Sequence, residues 1–268
     1  MILLEPLVAD VRAPLARAHP LPKLAGAAVL MVALFVTVDL VTSSIVLGGL
    51  GAAAALSGLR PGALARRTAP LLAAAVGIAL FNTALAPEPQ GTRLLELGPV
   101  VVTQESALAG LAAALRLVGI AFSGVLAVAT IDPTDLADAL VQHMRASPRF
   151  VVGALAAFRL VPLFGLEWQT LGLARRARGI EADRSLVDRL RAFPGRTFGL
   201  LVGAIRRATA LALAMDARGF GRAACRTLAR PRPITIADWA VLAAALALAA
   251  VATAVGLSVG TWRPLIAL

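Results

Sequence analysis

From Ile236 to Ser258 the chain runs through twenty-three residues with one charged side chain, Asp238. A helix of that length matches a bilayer hydrocarbon core of about 30 Å, so the segment reads as a membrane span. Four further apolar stretches, 24–40, 41–59, 69–86 and 106–130, follow the same logic. The first two are joined almost without a turn, which predicts a tight helical hairpin with its tip near Asp39 to Ser44. Arg60, Arg66 and Arg67 break the pattern after the second stretch, and Pro87, Pro89, Gly91 and Pro99 mark a loop after the third. Composition agrees, because a mean hydropathy of +0.83 with 15% charged residues is far from the roughly 25% charge of a soluble domain. The first 23 residues carry three prolines before residue 21, mixed charge and no small-residue cleavage site, and do not read as a signal peptide.

The formal charge of +11 raises the question of nucleic acid. With no tyrosine and 4% aromatic residues there are no stacking platforms, so the basic residues are expected to mark a cytoplasmic face instead. With the amino terminus inside and five spans, twenty-three Lys/Arg fall on the cytoplasmic side and two, Arg93 and Arg263, outside. That imbalance fits the positive-inside rule and predicts a multi-pass protein of the bacterial inner membrane, with its carboxyl terminus outside. The single cysteine, Cys225, leaves no internal disulfide. His19 and His143 lack ligand spacing, so no metal site and no bound cofactor are expected. The one lysine, Lys23, sits in Pro-Lys-Leu rather than in the Gly-Lys-Ser/Thr of a phosphate-cradling loop, so the chain carries no P-loop ATPase of its own.

Residues 131–235 hold seventeen arginines against eight acids, yet are rich in Leu, Ala, Val and Phe. Phe150 to Leu173 and Phe198 to Met215 could pass as spans. The first contains Arg159, Pro162 and Glu167, and the second has Arg206 and Arg207 at its centre. A central arginine costs about 2.5–3.5 kcal/mol on an insertion scale, which favours long helices at or under the membrane surface over two further spans. The expected organisation is an amino-terminal membrane domain, 1–130, a cytoplasmic domain, 131–235, and a final span with a short tail, 236–268.

Three local patterns invite functional readings. Asp132, Asp135 and Asp138 could bind Mg²⁺-diphosphate in a membrane-embedded prenyl or lipid-processing enzyme. They also fit a helix start with Asp132 as N-cap, Pro133 at the first helical position and Asp135 in the first turn. Arg116 falls inside the fourth span, where a charge pairs, snorkels or serves transport, with Asp39 of the first predicted span its candidate partner. The small-residue run Gly48 to Gly58 gives the second span a surface that admits close approach of another helix.

The most specific pattern is a repeat. LARRARGI, Leu173 to Ile180, and LAMDARGF, Leu213 to Phe220, share Ala-Arg-Gly with Arg178 and Arg218 forty positions apart. In each, glycine stands where a helix C-cap belongs and arginine where the dipole favours a cation. Two such ends suit insertion into two pockets, because Ala and Gly permit close approach while guanidinium directs hydrogen bonds.

This pair resembles the signatures of the transmembrane T component of energy-coupling factor transporters, the EcfT/CbiQ/BioN-type proteins. The resemblance extends to His19-Pro20-Leu21-Pro22-Lys23-Leu24, to Thr130-Ile131-Asp132-Pro133 with Leu136-Ala137-Asp138-Ala139-Leu140, to Phe158-Arg159-Leu160-Val161-Pro162-Leu163, and to Ile205-Arg206-Arg207-Ala208. Arg175 and Arg176 make the first signature unusually basic. The resemblance implies an all-α polytopic membrane protein of about five transmembrane helices, with a cytoplasmic coupling domain of two long crossed helices plus a short one. It implies no catalytic residue. Instead Ala177, Arg178, Gly179, Ala217, Arg218 and Gly219 would dock on two ABC ATPase subunits, which hold the ATP and Mg²⁺, and Arg159, Pro162, Arg206, Arg207 and Asp216 would support the coupling helices. A separate substrate-binding S component in the lipid bilayer would receive the motion, for uptake of a vitamin or transition-metal ion. A conventional ABC permease subunit that lines the substrate path itself is the other transport reading.

Overall fold

The computed structural model describes residues 13–59, 61–84, 92–97, 100–179, 185–221 and 230–262. Arg60, Pro87, Pro89, Gly91, Pro99, Ile180, Cys225 and Arg263 lie outside the described residues. The elements in chain order are α1 (Pro14–Arg17), α2 (Pro20–Val36), α3 (Leu40–Leu56), α4 (Pro61–Ala84), β1 (Arg93–Leu97), β2 (Val100–Thr103), α5 (Gln104–Ala129), α6 (Pro133–His143), α7 (Pro148–Ala177), α8 (Leu186–Ala217) and α9 (Ile236–Ser258). Among the described residues five helices are long and apolar enough to cross a membrane: α4, α5, α7, residues 190–217 of α8, and α9. The chain is an all-α polytopic membrane protein. The five differ from the sequence expectation, because α2 and α3 stop at 17 residues each, about 25 Å of helix. The helices α7 and α8 pass on length and apolar content despite their arginines.

Several boundaries move for local reasons. Helix α2 starts at Pro20, a favoured first position, with His19 Nδ1 accepting the Leu21 amide at 3.3 Å. The turn to α3 falls at 37–39 rather than beyond, because Asp39 Oδ2 accepts the Thr42 amide at 2.8 Å and caps α3. Helix α4 begins eight residues before the expected 69, since Arg66 and Arg67 continue a helix with Arg66 exposed and Arg67 half-buried. The loop after α4 contains an antiparallel two-stranded ribbon, with Leu97 opposite Val100, which the apolar periodicity did not predict. Helix α5 opens with a capping box in which the Ser106 amide donates to Thr103 Oγ1 and the Thr103 amide to Ser106 Oγ.

The described chain divides into two units, 1–136 with 233–268, and 137–232. In the first, α2, α3, α5 and α9 enclose a core of Leu30, Leu34, Val46, Leu50, Leu126, Ala245, Ala249 and Ala252, and α4 packs along α5. Small residues set the spacing. A Cβ on Gly110 would stand 2.6 Å from the Ala79 carbonyl oxygen of α4, so α4 and α5 touch backbone to backbone. Of the small residues in α3, Gly49 receives Leu248 of α9, whereas Gly48 and Gly51 face open space.

The second unit consists of α6, α7 and α8. Contacts between α7 and α8 join Glu167 to Arg207, Leu171 to Gly199, Gly172 to Arg196 and Arg175 to Gly195. Partners descend along α8 as they ascend along α7, so the two helices run in opposite senses. Trp168 adds an aromatic contact, its ring 5.4 Å from that of Phe193 and 5.9 Å from the Arg196 guanidinium carbon. Outside this meeting region both helices expose large apolar side chains, among them Phe150, Phe158 and Leu213.

Candidate functional site

The two Ala-Arg-Gly motifs form the same local structure. Helix α7 ends at Ala177 and α8 at Ala217, and Arg178 and Arg218 are the C-cap residues. Their backbones nearly coincide, with φ −87° and ψ 0° at Arg178 and φ −85° and ψ 6° at Arg218. The following glycines take the left-handed region, φ +71° at Gly179 and +69° at Gly219, where a side chain is disfavoured. The Gly179 amide donates to the Arg176 carbonyl and the Gly219 amide to the Asp216 carbonyl, each at 2.9 Å. After the second motif the Phe220 amide donates to the Met215 carbonyl at 3.0 Å, which completes a Schellman ending.

Both ends are presented outward. Ala177, Arg178, Gly179, Ala217 and Arg218 are exposed and Gly219 is half-buried. Because α7 and α8 run in opposite senses, the two caps lie at opposite ends of the pair. The supporting residues divide into two groups. Arg207 holds Glu167 of α7 in a two-pronged ion pair, with Nη1 to Oε2 at 2.8 Å. Arg206, Arg159, Pro162 and Asp216 lie exposed along the two helices. Pro162 sits inside α7 and supplies no amide to the Phe158 carbonyl.

Sequence reasoning did not single out Arg149 or Gln142. Arg149 Nη2 donates to the Gly221 carbonyl at 3.2 Å, tying the start of α7 to the chain just past the second motif. The Gln142 amide clasps the backbone nine residues beyond Gly221, donating from Nε2 to the Arg230 carbonyl at 2.9 Å and accepting at Oε1 from the Arg232 amide at 3.2 Å. Neither belongs to a recognisable spacing. The Glu167–Arg207 pair did carry a signal, since its members are also forty positions apart.

The other sequence candidates resolve into structural roles. Asp132 Oδ1 accepts the Thr134 amide at 2.6 Å at the start of α6, the helix-start reading of the acidic run. Among the described residues no group of three His, Cys, Asp or Glu could hold a metal ion. Arg116 does not meet Asp39. Its Nη2 donates to the Phe35 carbonyl at 2.5 Å and its guanidinium lies 5.4 Å from the Phe35 ring centre, so it caps the carboxyl end of α2.

Residues 12–227 match the family model described as CbiQ, cobalt transport protein. The chain belongs to the CbiQ family. Among curated relatives of this CbiQ-family chain, the energy-coupling factor transporter transmembrane protein EcfT of Heliobacterium modesticaldum is 30% identical over 162 residues, 58% of this chain and 61% of that protein. The protein of the same name from Thermosediminibacter oceani is 28% identical over 236 residues, 85% of this chain and 88% of its own length. A putative ABC transporter ATP-binding protein of Bifidobacterium longum is 27% identical over 164 residues, which are 58% of this chain but 21% of that protein. The chain is thus of one family with proteins named as transmembrane proteins of energy-coupling factor transporters, and it spans 61% of the length of the Heliobacterium modesticaldum protein.

Proposed function

We propose that this chain transmits ATP-driven motion from two ABC ATPase subunits to a substrate-binding S component in the membrane. Ala177-Arg178-Gly179 would enter a groove on one ATPase and Ala217-Arg218-Gly219 a groove on the other. The observation that carries the reading is the duplication of one cap geometry at two outward helix ends, because identical plugs call for equivalent sockets. The Bifidobacterium longum relative supports ATPase partners, since a segment similar to this chain occupies about a fifth of a protein named as ATP-binding. A chain whose one lysine lies outside any P-loop requires such partners to supply the energy.

In this scheme the second unit, 137–232, lies on the cytoplasmic side and the amino terminus is inside. The S component selects the solute, a vitamin or a transition-metal ion, so the substrate is not written in this chain. The test is uptake in cells carrying Arg178→Ala, Arg218→Ala and the double substitution, with membrane insertion and copurification of the ATPases measured alongside. A buried charge-assisted hydrogen bond contributes about 1.5–3 kcal/mol, so each single change is expected to weaken ATPase binding by at least tenfold, and the double change to abolish uptake while insertion is retained. Normal uptake by the double variant overturns the proposal.

A further inference from the structure

The chain passes between its two units twice, outward after Leu136 and back before Pro233. Within the first unit, both connections are gripped by one turn of α2. On the outgoing side α5 ends at Ala129, and the carbonyl of its C-cap, Thr130, accepts from Lys23 Nζ at 3.1 Å. The same ammonium donates to the Ala16 carbonyl of α1 at 3.0 Å, and Lys23 is 5% exposed. A cation suits these two helix ends, where carbonyls lack intrahelical partners. On the returning side Asp238 Oδ2 accepts the Thr235 amide and hydroxyl at 2.7 Å each, closing the start of α9. Its Oδ1 accepts the His19 amide at 2.6 Å. His19 and Lys23 are four residues apart, about 6 Å along the helix axis.

Helix ends can be closed locally, as Thr103 and Ser106 close α5. Here the bonds instead span 107 and 219 residues of sequence, and both are buried. Each involves a charged group, so loss of one partner leaves the other buried and unsatisfied. The turn between the two grips is stiff, because Pro20 and Pro22 fix φ at about −65° and carry no amide to fray. Within the second unit Gln142 performs the matching task, joining Arg230 and Arg232 of the returning chain to α6 of the outgoing one. Each unit, taken by itself, holds the two connections together.

We infer that residues 19–23 form a joint that carries force from residues 137–232 into the membrane helices. A pull on either connection reaches α2, α5 and α9 as one body, instead of being absorbed by a slack linker. Lys23 and Asp238 are positioning residues in this scheme, acting through Thr130 and His19. The source of the force is the pair of ATPases proposed above, a reading on which the joint rests; the grip itself is a property of this chain alone.

The test is hydrogen-exchange mass spectrometry of the full chain in lipid nanodiscs, first alone and then in complex with the ATPase subunits. In the chain alone, Lys23→Met should speed exchange at 235–238 about fivefold, although the Lys23 bonds described above go to Ala16 and Thr130. Coupling between two grips is reciprocal, so Asp238→Ala should speed exchange at 130–131 to a similar extent. Lys23→Arg keeps a cationic donor and should restore protection on both sides, whereas Gly110→Ala, placed elsewhere in α5, should accelerate neither. In the complex, MgATP with vanadate is expected to change exchange at 175–179, 215–220 and 235–238, and Lys23→Met to abolish the change at 235–238 alone. Should Lys23→Met fail to fold, Asp238→Ala gives the same readout at 130–131. Acceleration confined to the substituted side, no response at 235–238 in the unsubstituted complex, or a response there that survives Lys23→Met would overturn the joint while leaving the ATPase reading intact. No response at 175–179 or 215–220 in the unsubstituted complex would overturn the ATPase reading, and the joint with it.

Discussion

Gly179 and Gly219 are the residues at which chemistry and backbone coincide. Each has positive φ with no heavy atom within 4 Å of the position a Cβ would take, so a substitution meets open space and its cost is purely conformational. A left-handed alanine costs about 1 kcal/mol, and Gly219→Ala is expected to speed amide exchange across 215–220 about fivefold in hydrogen-exchange mass spectrometry. Gly219→Asn should recover most of that protection, because asparagine tolerates the left-handed region; a clash mechanism would instead make asparagine worse. Arg116 makes the opposite point, a charge whose role is local. Replacing it with leucine leaves the Phe35 carbonyl without its donor, for a loss of about 1 kcal/mol and a fall of about 2–4 °C in the thermal midpoint in detergent. Arg116→Lys should retain part of it, and an unchanged midpoint for Arg116→Leu would exclude the capping role.

At the scale of elements, the apolar runs made the existence of the helices legible, and their ends were legible only where a capping residue stood out. Asp132 and Pro133 announced α6, whereas Arg66 and Arg67 hid the start of α4, because an exposed arginine is as compatible with a helix as with its end. The ribbon of 93–97 with 100–103 was illegible, being too short for its alternation to outweigh the prolines around it. Close packing was legible as a type and not as a place. The run Gly48 to Gly58 drew attention to α3, yet the tightest backbone approach is Gly110 of α5 on Ala79 of α4. Gly110→Ala must separate two backbones that cannot yield, at a cost of about 1–3 kcal/mol, visible as a lowered midpoint, whereas Gly51→Ala faces open space and should leave it unchanged.

For the whole molecule, the repeated helix ends were more legible in the sequence than the topology. Two octamers that share Leu-Ala-x-x-Ala-Arg-Gly can be found by inspection, and their caps proved equivalent; the side of the membrane on which they lie depends on which helices cross, and length with apolar content admits α7 and α8 as well as α9. The single cysteine provides the measurement. With residues 131–235 cytoplasmic, a membrane-impermeant maleimide should modify Cys225 in inside-out vesicles and leave it untouched in right-side-out ones, and the reverse pattern would invert the orientation. A last consequence concerns the Glu167–Arg207 contact. Each partner stands eleven residues before the arginine that ends its own helix, so the clasp divides the pair into arms of equal length, about 16 Å each. Pointing in opposite directions, those arms make a balance beam: opposed pulls at the two tips cancel as displacement and add as torque, while equal pulls in one direction carry the pair along without turning it.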